Sequence, residues 1–396
     1  MTKKTLKDIK LTLFFSEGVG LKTWADIGNL YREVILYKEL LNYLSSVNFI
    51  TYGGRQDYSF QKELGGINLY SSYWLRRPFR LSKYLMPFNF MLLFAKYKNI
   101  IKETDLFKTN QIIGSQIPIL LKKLYNKKLI IRCGYLPTRV LANINNNELA
   151  KILWNRSRKE IFEIEKNAFQ YSDINIVTTK NDRDWATKTY GIMPEKIKVV
   201  PNYVDIKHFI PIPNNNKKYD LVIVANNPSL KNIGNLIKAL NRLKDKGLIL
   251  SILFIGSCGR SPEVQEERKN KNFSVTLAGN IDNREIPTQF SNAKIFILPS
   301  LYEGHPKALL EAMSCGMPCI ATDVSEINNI ITHKNNGYLC RTDSISIAEA
   351  IEKVLLDKNL QNKIGKNARQ FIVDNYSLDK IMKLELEIIK EITQKM

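Results

Sequence analysis

Residues 294–323 read KIFILPS-LYEGHP-KALLEAMSCGMP-CIATD, and the fold of the chain turns on how they are read. The first piece is a continuous apolar run and the third carries apolar residues at helical spacing. That pattern predicts a buried strand, a short loop, a helix and a second strand, a βαβ unit. Pro306 suits a first helical turn, where its missing N–H would lack a partner anyway, and Gly316 followed by Pro318 is a helix stop. The helix therefore begins just after Glu303, Gly304 and His305, and Glu311 falls about a turn and a half into it. In an open parallel sheet such a loop lies at the carboxyl ends of the strands, where ligands bind, and the free N–H groups of a helix start suit a phosphate. The expectation is an anion site flanked by two carboxylates, Glu303 and Glu311.

A chain of 396 residues exceeds one ordinary core, so two domains are expected. Apolar residues at 44% and aromatics at 10% exclude a disordered chain. A formal charge of +21 implies attraction to something anionic: nucleic acid, a phosphorylated substrate or a membrane surface. The five cysteines (Cys133, Cys258, Cys315, Cys319, Cys340) are scattered with no CxxC pair. Cys315 and Cys319 read as small core residues, and the set suits a reducing cytoplasm. No charge-free apolar segment approaches about 18 residues, so neither export nor a membrane span is expected.

Along the chain, residues 9–15 read as a first strand, with Gly18, Gly20 and Lys22 in the loop before a long helix over 24–44. The G-x-G spacing reads equally as a tight turn and as a ligand loop. Residues 64–102 contain no acidic residue but seven Arg or Lys and nine aromatics. Basic residues interleaved with bulky apolar ones suit a surface lying on an anionic bilayer, and equally a core helix with a solvated basic edge. Aromatic stacking on single-stranded nucleic acid is the weaker reading, because nothing else resembles an RNA-binding motif, and no nucleic-acid partner is expected. A strand near Asp105, a helix over 112–125 and a strand over 127–137 follow; Arg132 and Gly134 close that strand on the ligand side of the sheet. A long helix over 147–170 and a strand over 174–179 come next. Asp182 and Asp184 have metal-pair spacing, but Asn181 reads as an N-cap and acids in a first turn complement the helix dipole, so no metal is expected.

Prolines, three consecutive asparagines and two lysines make residues 202–218 the best linker in the chain. The expected domains are 1–202 and 203–375, with a last helix, 376–396, packing across both. Beyond the linker, strands at 221–225, 249–255, 274–278, 294–298 and 319–321 alternate with helices at 231–244, 262–270, 286–291 and 306–315. This is a doubly wound parallel sheet, closed by terminal helices over 344–395.

With Asn202-Tyr203-Val204-Asp205, Lys231-Asn232, Gly279-Asn280-Ile281 and the Glu303 to Glu311 motif in this order, the chain resembles the retaining glycosyltransferases of family 4. The resemblance is specific in the second half and loose in the first. It implies a GT-B fold of the α/β class, two Rossmann-like doubly wound domains facing a central crevice. It implies that Glu303 lies beside the donor sugar and that Lys231 grips the donor diphosphate, the two catalytic positions. Glu311 would hold the ribose, while Gly304, His305, Lys307, Asn226, Gly279, Asn280 and Ile281 complete the donor side. The acceptor side would use Gly18, Gly20, Lys22, Arg132 and Gly134. No metal and no cofactor is implied beyond the donor itself, with a nucleotide diphosphate as product. Two departures stand out. The family commonly has Gly-Arg-Leu where this chain has Ala225-Asn226-Asn227, so either Lys307 or Arg260 supplies the missing cation, or donor binding is weakened, or the donor differs. Many members also have His-Gly where this chain has Cys133-Gly134, beside Arg132.

The expected protein is thus a cytoplasmic enzyme, peripheral on the inner membrane face, that transfers a sugar onto a lipid-linked or polysaccharide acceptor in envelope synthesis. Two alternatives stay open: a GT-B sugar-nucleotide epimerase, for which only His305 of three histidines lies near a motif, and a non-catalytic sugar-nucleotide or membrane-binding protein.

Overall fold

The computed structural model describes residues 4–72, 82–144, 149–226 and 230–394, and side chains throughout these except in 82–91. The chain divides into unit 1, Met1–Pro201 with Met382–Met396, and unit 2, Asn202–Ile381.

Unit 1 runs β1 (Lys10–Phe14), α1 (Leu21–Asp26), α2 (Leu30–Leu41), β2 (Ser46–Thr51), β3 (Asn68–Ser71), α3 (Ser82–Glu103), β4 (Leu106–Thr109) and α4 (Gln116–Tyr125). It continues with β5 (Lys128–Cys133), α5 (Pro137–Asn143), α6 (Leu149–Trp154), α7 (Arg158–Tyr171), β6 (Ile174–Val177), α8 (Lys180–Tyr190) and β7 (Ile197–Val199). The strands form a seven-stranded sheet in the order β3-β2-β1-β4-β5-β6-β7. All its pairings are parallel.

Unit 2 runs β8 (Tyr219–Val224), α9 (Ile233–Asp245), β9 (Ser251–Ile255), α10 (Pro262–Asn270), β10 (Ser274–Gly279), α11 (Ile286–Ser291), β11 (Ala293–Leu298) and α12 (Lys307–Ser314). Then come β12 (Cys319–Thr322), β13 (Tyr338–Cys340), α13 (Ser344–Leu356) and α14 (Lys358–Tyr376). Its six-stranded sheet, also parallel, has the order β10-β9-β8-β11-β12-β13. The last helix, α15 (Leu378–Thr393), begins in unit 2, and the boundary falls within it at Ile381/Met382.

The apolar runs of unit 2 are strands because both sheet faces are covered. In β11, Ile295 and Ile297 join one core while Phe296 and Leu298 join the other. Period-two alternation sends neighbours to opposite faces, so a continuous run is what a doubly covered strand needs. Helix α9 covers one face with Ile233, Leu236, Ile237, Leu240 and Leu243, and α12 covers the other with Leu309, Leu310 and Met313. Replacing fully buried Leu310 by Ala would cost about 2–5 kcal/mol. Helix α12 ends where Gly316 turns left-handed (φ 70). A Cβ there would also lie 3.3 Å from Pro211, so the stop belongs to glycine.

Several expectations need correction. The long helix expected over 24–44 is two helices, broken at Gly28 (φ 75). The one expected over 147–170 is also two, broken at left-handed Asn155 (φ 51) and restarted by Ser157, whose hydroxyl accepts the Glu160 N–H; its first two positions lie outside the described residues. Strands β2, β3, β7 and β13 were not anticipated; β3, β7 and β13 are short edge strands, and β2, six residues long, stands next to the edge. Thr179, not Asn181, caps α8. Pro306 is the N-cap of α12 rather than its first residue. Residues 202–218 are no free linker: Val204 bonds Tyr376 and Leu378 through its backbone, Phe209 is buried, and Arg369 donates to the carbonyls of Ile206 and Phe209. Asparagine and proline there end a strand without releasing the chain from the core. Of the basic aromatic segment 64–102, residues 73–81 lie outside the described structure.

Candidate functional site

In unit 2 the chain moves outward from β8 to β9 and then returns across to β11, so β8 and β11 flank the switch point of the sheet, where open α/β folds bind ligands. Lys231, in the segment after β8, and Glu303, in the loop after β11, meet there. The Lys231 ammonium is paired directly with Glu303 Oε1. The same oxygen accepts the Ser300 hydroxyl at 2.6 Å. Ser300 is fully buried and its carbonyl accepts from Thr322 Oγ1 at 2.5 Å, which ties the loop to the end of β12. The side chains of Lys231 and Glu303 keep 19% and 9% of their exposure, so a ligand anion can compete for the lysine. Asn232, left-handed at φ 54, turns the chain into α9 and donates to the Thr342 carbonyl at 2.7 Å.

The second carboxylate stands deeper. Glu311 is buried on α12 and its Oε1 accepts from Asn283 Nδ2 at 3.0 Å, from the turn beyond β10. His305 is buried too; its carbonyl accepts from Asn202 Nδ2 at 2.7 Å and its ring meets the Tyr376 ring edge-on at 4.9 Å. Gly304 and half-buried Lys307 lie on either side of the start of α12.

The remaining donor-side candidates gather elsewhere on the same sheet edge. Asn226 turns away from the Lys231–Glu303 pair in its bonding: its Oδ1 accepts the Ser257 N–H at 3.0 Å, and so holds the turn after β9. Gly256, left-handed in that turn, donates to the Gly279 carbonyl at 2.6 Å. Asn280 is exposed and Ile281 packs on the core below. Arg260, at the end of the turn Asn226 anchors, is exposed. Asn227 lies outside the described residues.

Unit 1 has its own switch point, between β1 and β4. Gly18 is left-handed after β1, and Gly20 caps α1. Gly18 is set by its left-handed backbone, with open space where a Cβ would stand, whereas Gly20 is set by Asp57, which sequence reading missed. This fully buried carboxylate accepts the Lys22 N–H at 3.0 Å and the Thr51 hydroxyl at 2.6 Å. A Cβ at Gly20 or Gly53 would come within 2.6 Å or 2.0 Å of its oxygens. The Lys22 side chain points to Asp26 at 2.6 Å, outside this knot. Gly134 is held by Gln111 and Thr178, through bonds of 3.1 and 3.0 Å.

Arg132 is not open to an acceptor in the way expected. It donates to Glu385 of α15 at 3.1 Å, and Glu385 also pairs with Lys108 of β4 at 2.7 Å. Burial pushes the Lys108 ammonium down. Burial would raise Glu385, but Lys108 and Arg132 outweigh it and hold its carboxyl below the usual range. Asp182 of the D-x-D spacing is likewise spent on structure, paired with Arg139 at 2.8 Å and buried, while Asp184 is exposed.

Above β1, β4 and β5 the loops enclose a cavity of about 340 Å³. Glu17, Gln111, Tyr135, Trp154 and Arg156 are among its lining residues, none of them singled out by sequence. Glu17 and Arg156 pair at 2.6 Å. All five cysteines are buried free thiols, as small core residues would be.

A sequence profile of the family described as Glycosyl transferases group 1 matches residues 205–371, inside unit 2. The chain is 28% identical over 228 residues to the UDP-Gal:alpha-D-GlcNAc-diphosphoundecaprenol alpha-1,3-galactosyltransferase of Escherichia coli, covering 52% of this chain and 58% of that one. It is 25% identical over 206 residues to the N-acetyl-alpha-D-glucosaminyl L-malate synthase of Bacillus anthracis, covering 51% and 52%. The chain thus spans little more than half the length of these two relatives. Sucrose-phosphate synthase from Thermosynechococcus elongatus superposes with a TM-score of 0.73 at 16% identity, over 97% of this chain and 99% of that one. Anabaena HepE in complex with UDP does so at 0.71 and 15%, over 97% and 100%. At such identities the likeness shows the fold, which is GT-B with two Rossmann-like parallel α/β domains.

Proposed function

We propose that the protein is a glycosyltransferase that moves a sugar from a nucleotide-sugar to a lipid-linked or polysaccharide acceptor in bacterial envelope glycan synthesis, with retention of configuration and without a metal. The observation that carries this reading is the Lys231–Glu303 pair at the β8/β11 switch point, just ahead of the start of α12. In the transfer, the bond between the anomeric carbon and the diphosphate oxygen breaks, and its electron pair leaves with the diphosphate. A cation and helix N–H groups aimed at that oxygen lower the barrier, and a carboxylate beside the ring suits the positive charge left on the sugar. The donor diphosphate competes with Glu303 for Lys231, and Glu303 is then left facing the sugar with Ser300 still holding it. The acceptor oxygen bonds the anomeric carbon on the face the diphosphate leaves, and the acceptor proton goes to the departing phosphate oxygen. Glu311 takes the ribose.

The match to the transferase profile supports this, as does the Escherichia coli relative, whose name places its acceptor on diphosphoundecaprenol. Among the described residues no helix is long and apolar enough to cross a membrane. With a formal charge of +21, the chain suits a peripheral place on an anionic cytoplasmic membrane face.

The test incubates purified protein with a panel of nucleotide-sugars and envelope lipid extract, following nucleotide release and labelled lipid. Acceptor-dependent release should fall by about 10²–10³ in Lys231→Ala and in Glu303→Ala. Variants that match the parent, or no release with any donor, would overturn the reading.

A further inference from the structure

We infer that the cavity over the carboxyl ends of β1, β4 and β5 is a sugar-ring subsite, with Tyr135 and Trp154 as its stacking wall and the Glu17–Arg156 pair as its hydroxyl-binding edge. This rests on the transferase reading above for the role of the bound ring as acceptor, though not for its binding.

The place is the first argument. The cavity belongs wholly to unit 1 and is built by the loops after β1, β4 and β5 together with residues 152–156 at the end of α6, so it straddles the switch point of that sheet. Its lining is the second. Tyr135 and Trp154 lie with ring centroids 6.3 Å apart and planes 33° from parallel, and Tyr135 remains 39% exposed. An exposed tyrosine and a half-buried tryptophan lining a cavity suit the C–H face of a pyranose, which is apolar while its rim is hydroxylated. The rim chemistry is present as well. Glu17 and Arg156 are paired at 2.6 Å but keep 29% and 19% of their side-chain exposure, so the carboxylate can accept from a ligand hydroxyl without losing its cation. Gln111, another lining residue, has its carboxamide oxygen taken by the Gly134 N–H.

Backbone strain is the third argument. Trp154 and Arg156 flank Asn155, a non-glycine residue at φ 51 that breaks α6 from α7. That break lets residues 154 and 156 both line the cavity, which a continuous helix would not, since positions two apart lie on different faces. Size is the fourth. A volume of about 340 Å³ sits at the low end of the ~300–1,000 Å³ of small-molecule sites, room for a ring or two rather than a long polyprenyl chain.

The probe set is the methyl glycosides of common hexoses and N-acetylhexosamines, with a short prenyl phosphate as the lipid control. Binding to the whole chain is read by ligand-observed NMR without any donor. At least one methyl glycoside should bind, about tenfold more weakly to Trp154→Ala, Tyr135→Ala and Glu17→Gln. Trp154→Phe should retain binding, and UDP binding and thermal melts should match the parent in all four. Glycosides that do not bind, or bind equally to every variant, overturn the proposal. So does prenyl phosphate binding that alone depends on Trp154, which would make the cavity a lipid site. Glycoside binding with no transfer from any donor keeps the subsite and sinks only the transferase reading.

Discussion

Lys108 and Lys231 each stand beside the switch point of a parallel sheet, and each is paired with a glutamate, yet they serve different ends. Lys108 and its partner Glu385 are both entirely sealed from solvent. Lys231 and Glu303 are not, and their loop is shared with the start of a helix. A desolvated pair cannot exchange its partner without leaving a bare charge in the core, whereas a partly open pair can trade a carboxylate for a phosphate. Charge near a strand end is therefore not a site by itself. Access for a competing anion makes it one.

The largest expected effect breaks the pair in unit 1. Glu385→Ala should cost about 3–5 kcal/mol by urea unfolding, because Lys108 is left buried, and Arg132 largely so, without their carboxylate. Lys108→Met and Glu385→Leu together should recover the part that Lys108 causes, while partly exposed Arg132 still loses Glu385. If Glu385→Ala unfolds like the parent but loses nucleotide binding, the contrast between the two lysines collapses.

A second prediction uses a buried carboxylate of unit 1 that makes no ion pair among the described residues. Glu165 accepts from Thr138 N, Thr138 Oγ1 and Tyr190 OH at 2.7–2.8 Å. Burial nonetheless pushes its carboxyl up to about 7. The folded chain then holds a proton that the unfolded chain releases near pH 4.5, so this group stabilises fully below that pH. Its contribution falls as pH rises from about 4.5 to 7 and is flat above, about 3 kcal/mol at most. Melting points measured across that window should show the slope in the parent and lose it in Glu165→Gln. A slope that survives the substitution belongs to other groups.

The smallest effect sharpens the exchange in unit 2. Ser300→Ala removes the hydroxyl that holds Glu303 when Lys231 turns to a phosphate. Turnover should fall about five- to tenfold with little change in donor KM, the loss expected from one hydrogen bond to a charged group. A raised KM at unchanged turnover would mean that Ser300 merely keeps the pair closed.

Legibility differed between the units for physical reasons. In unit 2 the inner strands β8, β9, β11 and β12 read as apolar runs because both faces are covered, and the helix boundaries at Ser261 and Gly316 carry their own capping chemistry. Residues 294–323 therefore announced β11, α12 and β12 almost to the residue. In unit 1 the breaks at Gly28 and Asn155 interrupt helices whose apolar spacing continues through them, so periodicity alone joined what the backbone separates. The short strands β3 and β7 carry too few residues to show a period.

What the sequence by itself determined is the strand–helix alternation from β8 to β12, the two-domain α/β class and the pair of carboxylates around the start of α12, since propensity, period and capping are local. Only tertiary structure decided which charges meet. It brought Lys231 to Glu303 across 72 positions and Lys108 to Glu385 across 277. It turned Arg132 inward, gave Asn226 to the β9 turn, and gathered Tyr135, Trp154 and the Glu17–Arg156 pair around one cavity. Partners and solvent access are properties of contacts between distant segments, and strand order, which local signals do not carry, sets those contacts.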